Sequence, residues 1–282
     1  IKIITICLTI FALLSGCASI VSSSTTRLAD NITQAILNQN DLETVRSGAP
    51  AYLLLIDGLI VDDKNNIDML LAGSKLYASY VSAFVDDGER ARRMAERSLD
   101  YARTALCLKV TAVCLSLGDK TELFKTVLAK TGRKDIPVLS SFGNAWSSWI
   151  QANASDWNAI ADLPKLTALF ERLVALDENY DNGSAHIFLG VLSTQLPPIL
   201  GGKPEKGRAH FERAQELSGG HNLMINVLMA KHYARLVFDQ ELHDRLLREV
   251  LASSPTYPGL TLINTLANQQ AGVLLAESSD FF

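Results

Sequence analysis

The first residue in this chain whose type and setting point to a chemical reaction is Cys17. It ends the motif Leu14-Ser15-Gly16-Cys17, which follows an apolar run from Ile3 to Leu14 led by Lys2. A basic head, a short apolar core and small residues before a cleavage point are typical of a secretory signal. The motif fits the bacterial lipobox, in which the cysteine sulfur is acylated and the preceding peptide bond is cleaved. We therefore expect residues 1–16 to be a lipoprotein signal peptide and Cys17 to be lipidated.

Lipidation at Cys17 would hold the mature chain on a membrane without a transmembrane helix. Each buried methylene of an acyl chain contributes about 0.8 kcal/mol, so several chains make a durable anchor. Serine and threonine dominate residues 18–26, which predicts a polar tether over residues 17–26. No aspartate follows Cys17, which favours the outer over the inner membrane. The alternative is an ordinary signal peptide whose cysteine is incidental.

A Gly-Gly-Lys sequence at residues 201–203 resembles part of a phosphate-binding loop. Such a loop needs an earlier glycine and a serine or threonine after the lysine. Here Leu196 and Pro197 stand in the region of the earlier glycine, and Pro204 follows the lysine. The segment instead predicts a stiff turn that leads into a helix beginning at Pro204. Its candidate ligand or partner residues are Pro197, Pro198, Gly201, Gly202 and Lys203.

The remaining polar motifs do not favour an enzyme or a metal protein. Histidines recur at His210, His221, His232 and His243, but without the close pairs and nearby carboxylates that bind metals. His-Glu-x-x-His, Gly-x-Ser-x-Gly and Ser-x-x-Lys motifs do not occur in a convincing context. We expect no cofactor, no metal and no catalytic residues; an envelope hydrolase is the enzymatic alternative.

The 3 tryptophans lie close together in the sequence, at Trp146, Trp149 and Trp157. Trp146 and Trp149 share one face of a helix because residues three apart are neighbours on its surface. One interpretation is a packing anchor for a helical hairpin. The other makes Trp146 and Trp149 an aromatic wall for an apolar ligand or a partner protein, since tryptophan is favoured in both settings.

Of the 4 cysteines, Cys7 belongs to the signal and Cys17 to the anchor, which leaves Cys107 and Cys114. On one continuous helix their α-carbons would lie about 10 Å apart, beyond the reach of a disulfide. A disulfide therefore requires a break between Val110 and Val113. The interpretation preferred from the sequence is two buried free thiols.

The elements that must position these residues are helical. Pro50 suits the first turn of a helix and predicts one over Ala51–Ile60. Apolar residues at helical spacing predict another helix between Ile67 and Val81, and a third covers Glu89–Leu106. The alternation typical of strands and Asn-Gly hairpin turns is nearly absent. The chain is predicted to be all-α, with residues 27–282 forming one helical domain.

A weak repeat organises these helices. Small or apolar residues recur in the spacing of a tetratricopeptide repeat, and the distance from Phe211 to Leu247 is close to the usual ~34 residues. The segments are Ala91/Ala95/Ser98, Leu166/Phe170/Leu173, Gly207/Phe211/Ala214 and His243/Leu247/Val250. They predict stacked antiparallel helical hairpins, degenerate and tetratricopeptide-like, with a concave face. An ordinary helical bundle with chance spacing is the alternative.

Composition excludes two classes of partner. The chain has 26 Lys and Arg against 30 Asp and Glu, a formal net charge of −4. Nucleic acids and anionic lipid surfaces both select clustered basic residues, so neither is an expected partner. After Cys17, no segment is predicted to be long and charge-free enough to span a membrane, which leaves the lipid as the only membrane attachment.

The chain resembles the T-component lipoproteins of TRAP transporters. The resemblance rests on Cys17, on residues 197–204 with the helix after them, and on the helices between Leu70 and Leu106. Trp146 and the Asp162-Leu163-Pro164 sequence fit the same pattern. Together these features cover essentially the whole mature chain.

This resemblance implies a periplasmic, lipid-anchored, non-enzymatic protein of tetratricopeptide-like hairpins that forms a homotrimer around a pore. It also implies association with the solute-binding subunit of a tripartite ATP-independent transporter, and passage of an apolar or organic-acid ligand. Among the candidate site residues, only Cys17 matches a family residue with a defined role, which is lipidation. The alternative function is that of a scaffold lipoprotein for envelope assembly, since a fold alone does not fix function.

Overall fold

The computed structural model describes residues 33–195, 197–200 and 202–282. Within those residues the regular structure is helical and no strand occurs, which confirms the all-α prediction. The predicted signal peptide, Cys17 and the predicted tether, as well as Leu196 and Gly201, lie outside the described residues. The helices are α1 (Leu42–Asp62), α2 (Ile67–Phe84), α3 (Gly88–Lys109), α4 (Thr111–Leu115), α5 (Thr121–Leu128), α6 (Ile136–Ala152), α7 (Trp157–Ala161), α8 (Leu163–Asp177), α9 (Ser184–Ser193), α10 (Pro204–Leu217), α11 (Met224–Leu228), α12 (Gln240–Ala252), α13 (Thr261–Ala276) and α14 (Ser278–Phe281).

Successive long helices pack against each other. The most extensive contacts join α2 to α3, α3 to α6, α9 to α10 and α1 to α2, so α3 also packs against a helix that does not follow it directly. Short polar turns connect several of these pairs and end on capping residues. The Asp87 carboxylate accepts the Arg90 N–H at the start of α3, and Asp239 caps α12 in the same way. Packed helices joined by such short connections run antiparallel.

The repeat predicted from the sequence coincides with the buried side of these helices. Phe170 on α8, Phe211 on α10 and Leu247 on α12 are all buried, as are the residues that follow them at the third repeat position. Helix α10 begins at Pro204, in agreement with the prediction for that proline. The spacing thus marks where helices press together, because buried apolar residues at helical period form the contact face.

Helices α9 and α10 cross at two glycines. A Cβ atom on Gly207 would lie 2.6 Å from Thr194 Cγ2 and 3.0 Å from the Gly190 carbonyl oxygen. A Cβ atom on Gly190 would lie 2.8 Å from the ring of Phe211. The absent side chains therefore let the two backbones approach and leave room for the aromatic ring of Phe211.

The prediction that Pro50 opens a helix is wrong: α1 begins at Leu42 and Pro50 lies in its interior. Proline has no N–H, so the carbonyl of Arg46, four residues earlier, loses its helical donor. The Tyr80 hydroxyl of α2 donates a hydrogen bond to this carbonyl at 3.0 Å. A tertiary contact thus satisfies the acceptor that the proline leaves free.

We expect Tyr80→Phe to lower the free energy of unfolding by about 1–3 kcal/mol, because the Arg46 carbonyl would lose its partner in a part-buried place. Pro50→Ala restores a backbone donor to that carbonyl. In the Pro50→Ala background Tyr80→Phe should therefore cost less, which a double-mutant cycle by urea unfolding measures. Equal costs in both backgrounds would show that the hydroxyl does not replace the missing donor.

The preferred interpretation of Cys107 and Cys114 as free thiols is also wrong, because the two residues form a disulfide. Helix α3 ends at Lys109, and Val110 adopts φ −131° and ψ 58°, outside the helical region. Helix α4 then begins at Thr111. The break brings the two α-carbons to 5.0 Å, within the range of disulfides. A disulfide requires such a break, but the sequence between Val110 and Val113 does not predict one.

Helix α1 is long and apolar enough, by length and composition alone, to cross a membrane, contrary to the prediction that no segment after Cys17 is. A core helix of a compact domain can meet the same criteria of length and composition, so they are weak evidence for a membrane span. One face of α1 packs on α2 and α13, with Val45, Ala49 and Leu53 buried beside Leu266. The Gly259 N–H also donates to Asn38 Oδ1 at 2.8 Å, so the first and last long helices are joined.

Candidate ligand and partner surfaces

Trp146 lies in the largest apolar cluster and is 4% exposed. Its ring packs against Phe142 and Phe124, with centroid distances of 5.1 and 6.3 Å. The structure therefore favours the packing role for Trp146 over a ligand wall. Trp149 is half-buried against the same cluster, and Trp157 is exposed on α7. The three rings thus do not form one continuous aromatic surface.

The loop before α10 is folded back on itself. The Gly202 N–H donates to the Pro197 carbonyl at 3.1 Å, and the Lys203 N–H donates to the Ser193 carbonyl at 3.0 Å. Pro197 is half-buried, while Pro198 and Lys203 are exposed. Ile199, which the sequence did not single out, is 90% exposed at the tip. The loop therefore presents an apolar side chain rather than a phosphate cradle.

A second apolar surface runs along the outer face of α1. Leu54 is 74% exposed and Val61 is 69% exposed, and the neighbouring Leu55 is 55% exposed. Small residues accompany them: a Cβ atom on Gly58 would meet nothing within 4 Å. Large exposed apolar patches mark sites of association with proteins or membranes.

A pocket of about 280 Å³ opens where α1, α2 and α3 meet. None of its residues was predicted as a site, because they come from three helices and from the turn between α1 and α2, and fit no motif. Its lining combines apolar residues, two cationic side chains and two hydroxyl groups. The lining residues are Ile60, Val61, Lys64, Leu70, Arg97, Tyr101 and Thr104.

One wall of this pocket is fixed by a carboxylate. Asp57 accepts hydrogen bonds from the Tyr101 hydroxyl at 2.7 Å and from the Tyr77 hydroxyl at 2.8 Å. Burial, together with the bond to Asp57, raises the pKa of Tyr101 to about 12. Tyr101 is therefore a neutral donor at physiological pH, and its ring cannot rotate away without breaking the bond to the carboxylate.

Two histidines face each other between α9 and α10. The Nδ1 atoms of His186 and His210 lie 2.9 Å apart, so one ring donates and the other accepts. The Glu178 carboxylate lies 3.5 Å from His186 Nε2. It also forms a bidentate salt bridge with the Arg213 guanidinium. Burial lowers the pKa of His186, and burial with the nearby charge of His186 and Lys206 lowers that of His210 to about 4.

These lowered pKa values predict a loss of stability in acid. The unfolded chain binds protons at these histidines with an ordinary pKa near 6.5, whereas the folded chain resists them. Stability is therefore full above about pH 6.5 and falls as the pH drops toward about 4. We expect His210→Gln to reduce the fall in unfolding free energy between about pH 7.5 and about pH 5, measured by urea titration. An unchanged fall would assign the acid sensitivity to other groups.

The described residues contain no group of three or more His, Cys, Asp or Glu side chains arranged to hold a metal ion. The histidine pair therefore lacks the further ligands of a tetrahedral site.

A family model described as TRAP transporter T-component matches residues 38–282. An uncharacterized protein of Treponema pallidum (strain Nichols) is 24% identical over an alignment of 272 residues, which covers 89% of this chain and 84% of that protein.

Proposed function

Because this chain belongs to the TRAP transporter T-component family, we propose that it docks the solute-binding subunit of such a transporter. Family membership makes the chain an accessory component of TRAP transporters, associated with the bacterial envelope. The single observation that carries the proposal is the match over residues 38–282, which takes in every helix from α1 to α14. Docking and positioning, rather than bond-making, are the proposed activity.

The proposed assembly has three further parts. Lipid on Cys17 anchors the chain, in the periplasm, to the outer membrane. Three copies form a ring whose centre passes an apolar or organic-acid ligand to or from the solute-binding subunit. The lipobox at residues 14–17 supports the first part, and the family supports the others.

The exposed apolar surfaces support association with other proteins. A trimer that also docks a solute-binding subunit needs two kinds of contact on each copy. Leu54 and Leu55 on α1 provide one apolar surface, and Ile199 on the loop before α10 provides another. Removing exposed apolar side chains such as these from water is the dominant favourable contribution to most protein–protein association.

Affinity purification of the full chain from detergent-solubilised envelopes tests the proposal. We expect the solute-binding subunit to be recovered with it, in a particle whose mass corresponds to three copies of this chain. Cys17→Ser should move the chain from the membrane fraction to the periplasmic fraction. Recovery of envelope-assembly enzymes without any solute-binding subunit would contradict the proposal.

Surface variants locate the contacts. We expect Leu54→Asp or Ile199→Asp to reduce either the recovered solute-binding subunit or the number of copies in the particle. Leu115→Asp is the matched control, because Leu115 is also an exposed leucine but lies on α4, away from both surfaces. If all three variants behave alike, neither surface is the contact.

A further inference from the structure

We propose that the aromatic surface formed by Phe238 and Phe281 docks a cationic segment of a partner protein, whose arginine side chains lie on the two exposed rings. Phe238 stands in the turn before α12, and Phe281 ends α14. Their ring centres lie 6.1 Å apart, and their planes are inclined by 29°. This surface is separate from α1 and from the loop before α10, so the inference does not rest on the proposed function.

The backbone of Phe238 is strained. Its φ is 55°, in the left-handed region that favours glycine and that a bulky side chain adopts only at a cost. The Asp239 N–H donates to the Ala234 carbonyl at 2.9 Å, so Phe238 occupies the place after a helix where glycine is common. A glycine would therefore suit the fold better at this position than a phenylalanine does.

The ring of Phe238 adds little to the core. It is 72% exposed, and its ring contacts are with Phe281 and Phe282 at the same surface. Folding thus gives no reason for a phenylalanine at a position that is both strained and exposed. Strained residues cluster at functional sites, and aromatic residues are enriched in protein interfaces.

The chain itself shows that this surface accepts a guanidinium group. The Arg235 guanidinium carbon lies 4.5 Å from the centre of the Phe281 ring, a cation–π contact. Arg235 Nη2 also lies 3.6 Å from a carboxylate oxygen of Glu277. An internal arginine thus combines an aromatic ring with a carboxylate, and the exposed rings offer the same combination to an arginine of a partner.

Carboxylates close to the rings favour a positively charged partner. Glu241 lies in the first turn of α12 and Asp280 lies in α14, and both are exposed. In the part of the chain that the structure describes, neither carboxylate takes part in a salt bridge. The exposed cations of adjacent turns, Lys231 and Arg245, pair with neither of them. Both acids are therefore available to a cation from outside.

Hydrogen bonds hold the two sides of this surface together before a partner arrives. Gln240 Nε2 donates to Ser278 Oγ at 3.3 Å, and Ser278 Oγ donates to Asp244 Oδ1 at 2.6 Å. These bonds join the start of α12 to α14. A preorganised surface loses less entropy on binding.

The same charges disfavour two other occupants. A second copy of the chain, paired through the same surface, would bring like carboxylates together, which costs binding energy. An anionic lipid surface attracts basic segments and would repel these acids. Arginine is favoured over lysine as the contacting residue, because its planar and weakly hydrated guanidinium group stacks on aromatic rings.

Fluorescence anisotropy of labelled hexa-arginine with the full chain in detergent tests the proposal. We expect saturable binding, about two- to fivefold tighter than that of hexa-lysine. Phe238→Gly should weaken hexa-arginine binding by about fivefold, while the urea midpoint of unfolding stays equal or rises. Glu241→Gln combined with Asp280→Asn should also weaken binding and should reduce its dependence on salt.

Asn182→Gly is the matched control, because Asn182 is another exposed residue with a positive φ, in the turn before α9. Equal loss in Phe238→Gly and Asn182→Gly would overturn the proposal, as would equal binding of hexa-arginine and hexa-lysine. A Phe238→Gly protein less stable than the parent would show that the ring serves the fold, and would overturn it too.

Two further measurements examine the other occupants. Self-association in sedimentation that disappears in Phe238→Gly would overturn the proposal in favour of a second copy. Binding to phosphatidylethanolamine vesicles that disappears in the same variant would overturn it in favour of a lipid surface. We expect neither change.

Discussion

Replacing Phe211 with alanine is expected to lower the free energy of unfolding by about 3–5 kcal/mol. The ring of Phe211 is fully buried and lies against Gly190, whose missing side chain provides the space that the ring fills. Alanine would leave a cavity that the neighbouring backbone cannot close, because α9 and α10 already touch at Gly190 and Gly207. The cost therefore includes both lost burial and an empty volume.

Urea unfolding followed by circular dichroism measures this effect. Leu115→Ala truncates an exposed apolar side chain to the same methyl group, so it should change stability by no more than about 0.5 kcal/mol. Equal small changes in the two variants would mean that Phe211 does not support the contact between α9 and α10.

The second large effect is expected from Gly207→Val, with a loss of about 3 kcal/mol in the free energy of unfolding. The added side chain would collide with Thr194 Cγ2 and with the carbonyl oxygen of Gly190, and the carbonyl belongs to rigid backbone. Relief requires α9 and α10 to move apart, which would also loosen the packing around Phe211.

Gly58→Ala is the matched control, because it changes a helical glycine that faces open space on α1. Alanine is the better helix former there, so a gain of about 0.5–1 kcal/mol is expected. The same denaturation experiment measures both variants. A Gly207→Val protein as stable as the parent would show that the two helices cross farther apart than the structure places them.

Local signals in the sequence predicted a large part of the fold. Pro204 starts α10 as expected, because the first turn of a helix tolerates a residue without an N–H. Phe170 and Phe211 are buried where the repeat placed them. Such positions can be predicted from the sequence, because the helical period and the residues that begin or end a helix depend only on nearby residues.

Features that leave no signal in the neighbouring sequence could not be predicted. Pro50 sits inside α1 because Tyr80, from another helix, supplies the donor for the Arg46 carbonyl. The disulfide of Cys107 and Cys114 depends on a bend at Val110 that no proline or glycine announces. A contact between helices decides the first case, and a backbone break without a local sequence signal decides the second.

The candidate sites follow the same rule. Pro198 and Lys203 could be placed in an exposed loop from their neighbours in sequence, but the exposure of Ile199 depends on how the loop folds back. Lys64 and Arg97 come together only after three helices pack, so no linear motif could join them. The burial of Trp146 likewise depends on Phe124 of α5.

The contact between α1 and α13 changes how the molecule should come apart. In an open array of hairpins, terminal units fray first and interior units persist. Here Leu266 of α13 sits among residues of α1 and α2, and Asn38 receives the N–H of Gly259. Neither α1 nor α13 can separate from the domain without uncovering the other. Amide hydrogens of α1 and α13 should therefore exchange with solvent at one common rate, because both helices become exposed in a single opening step.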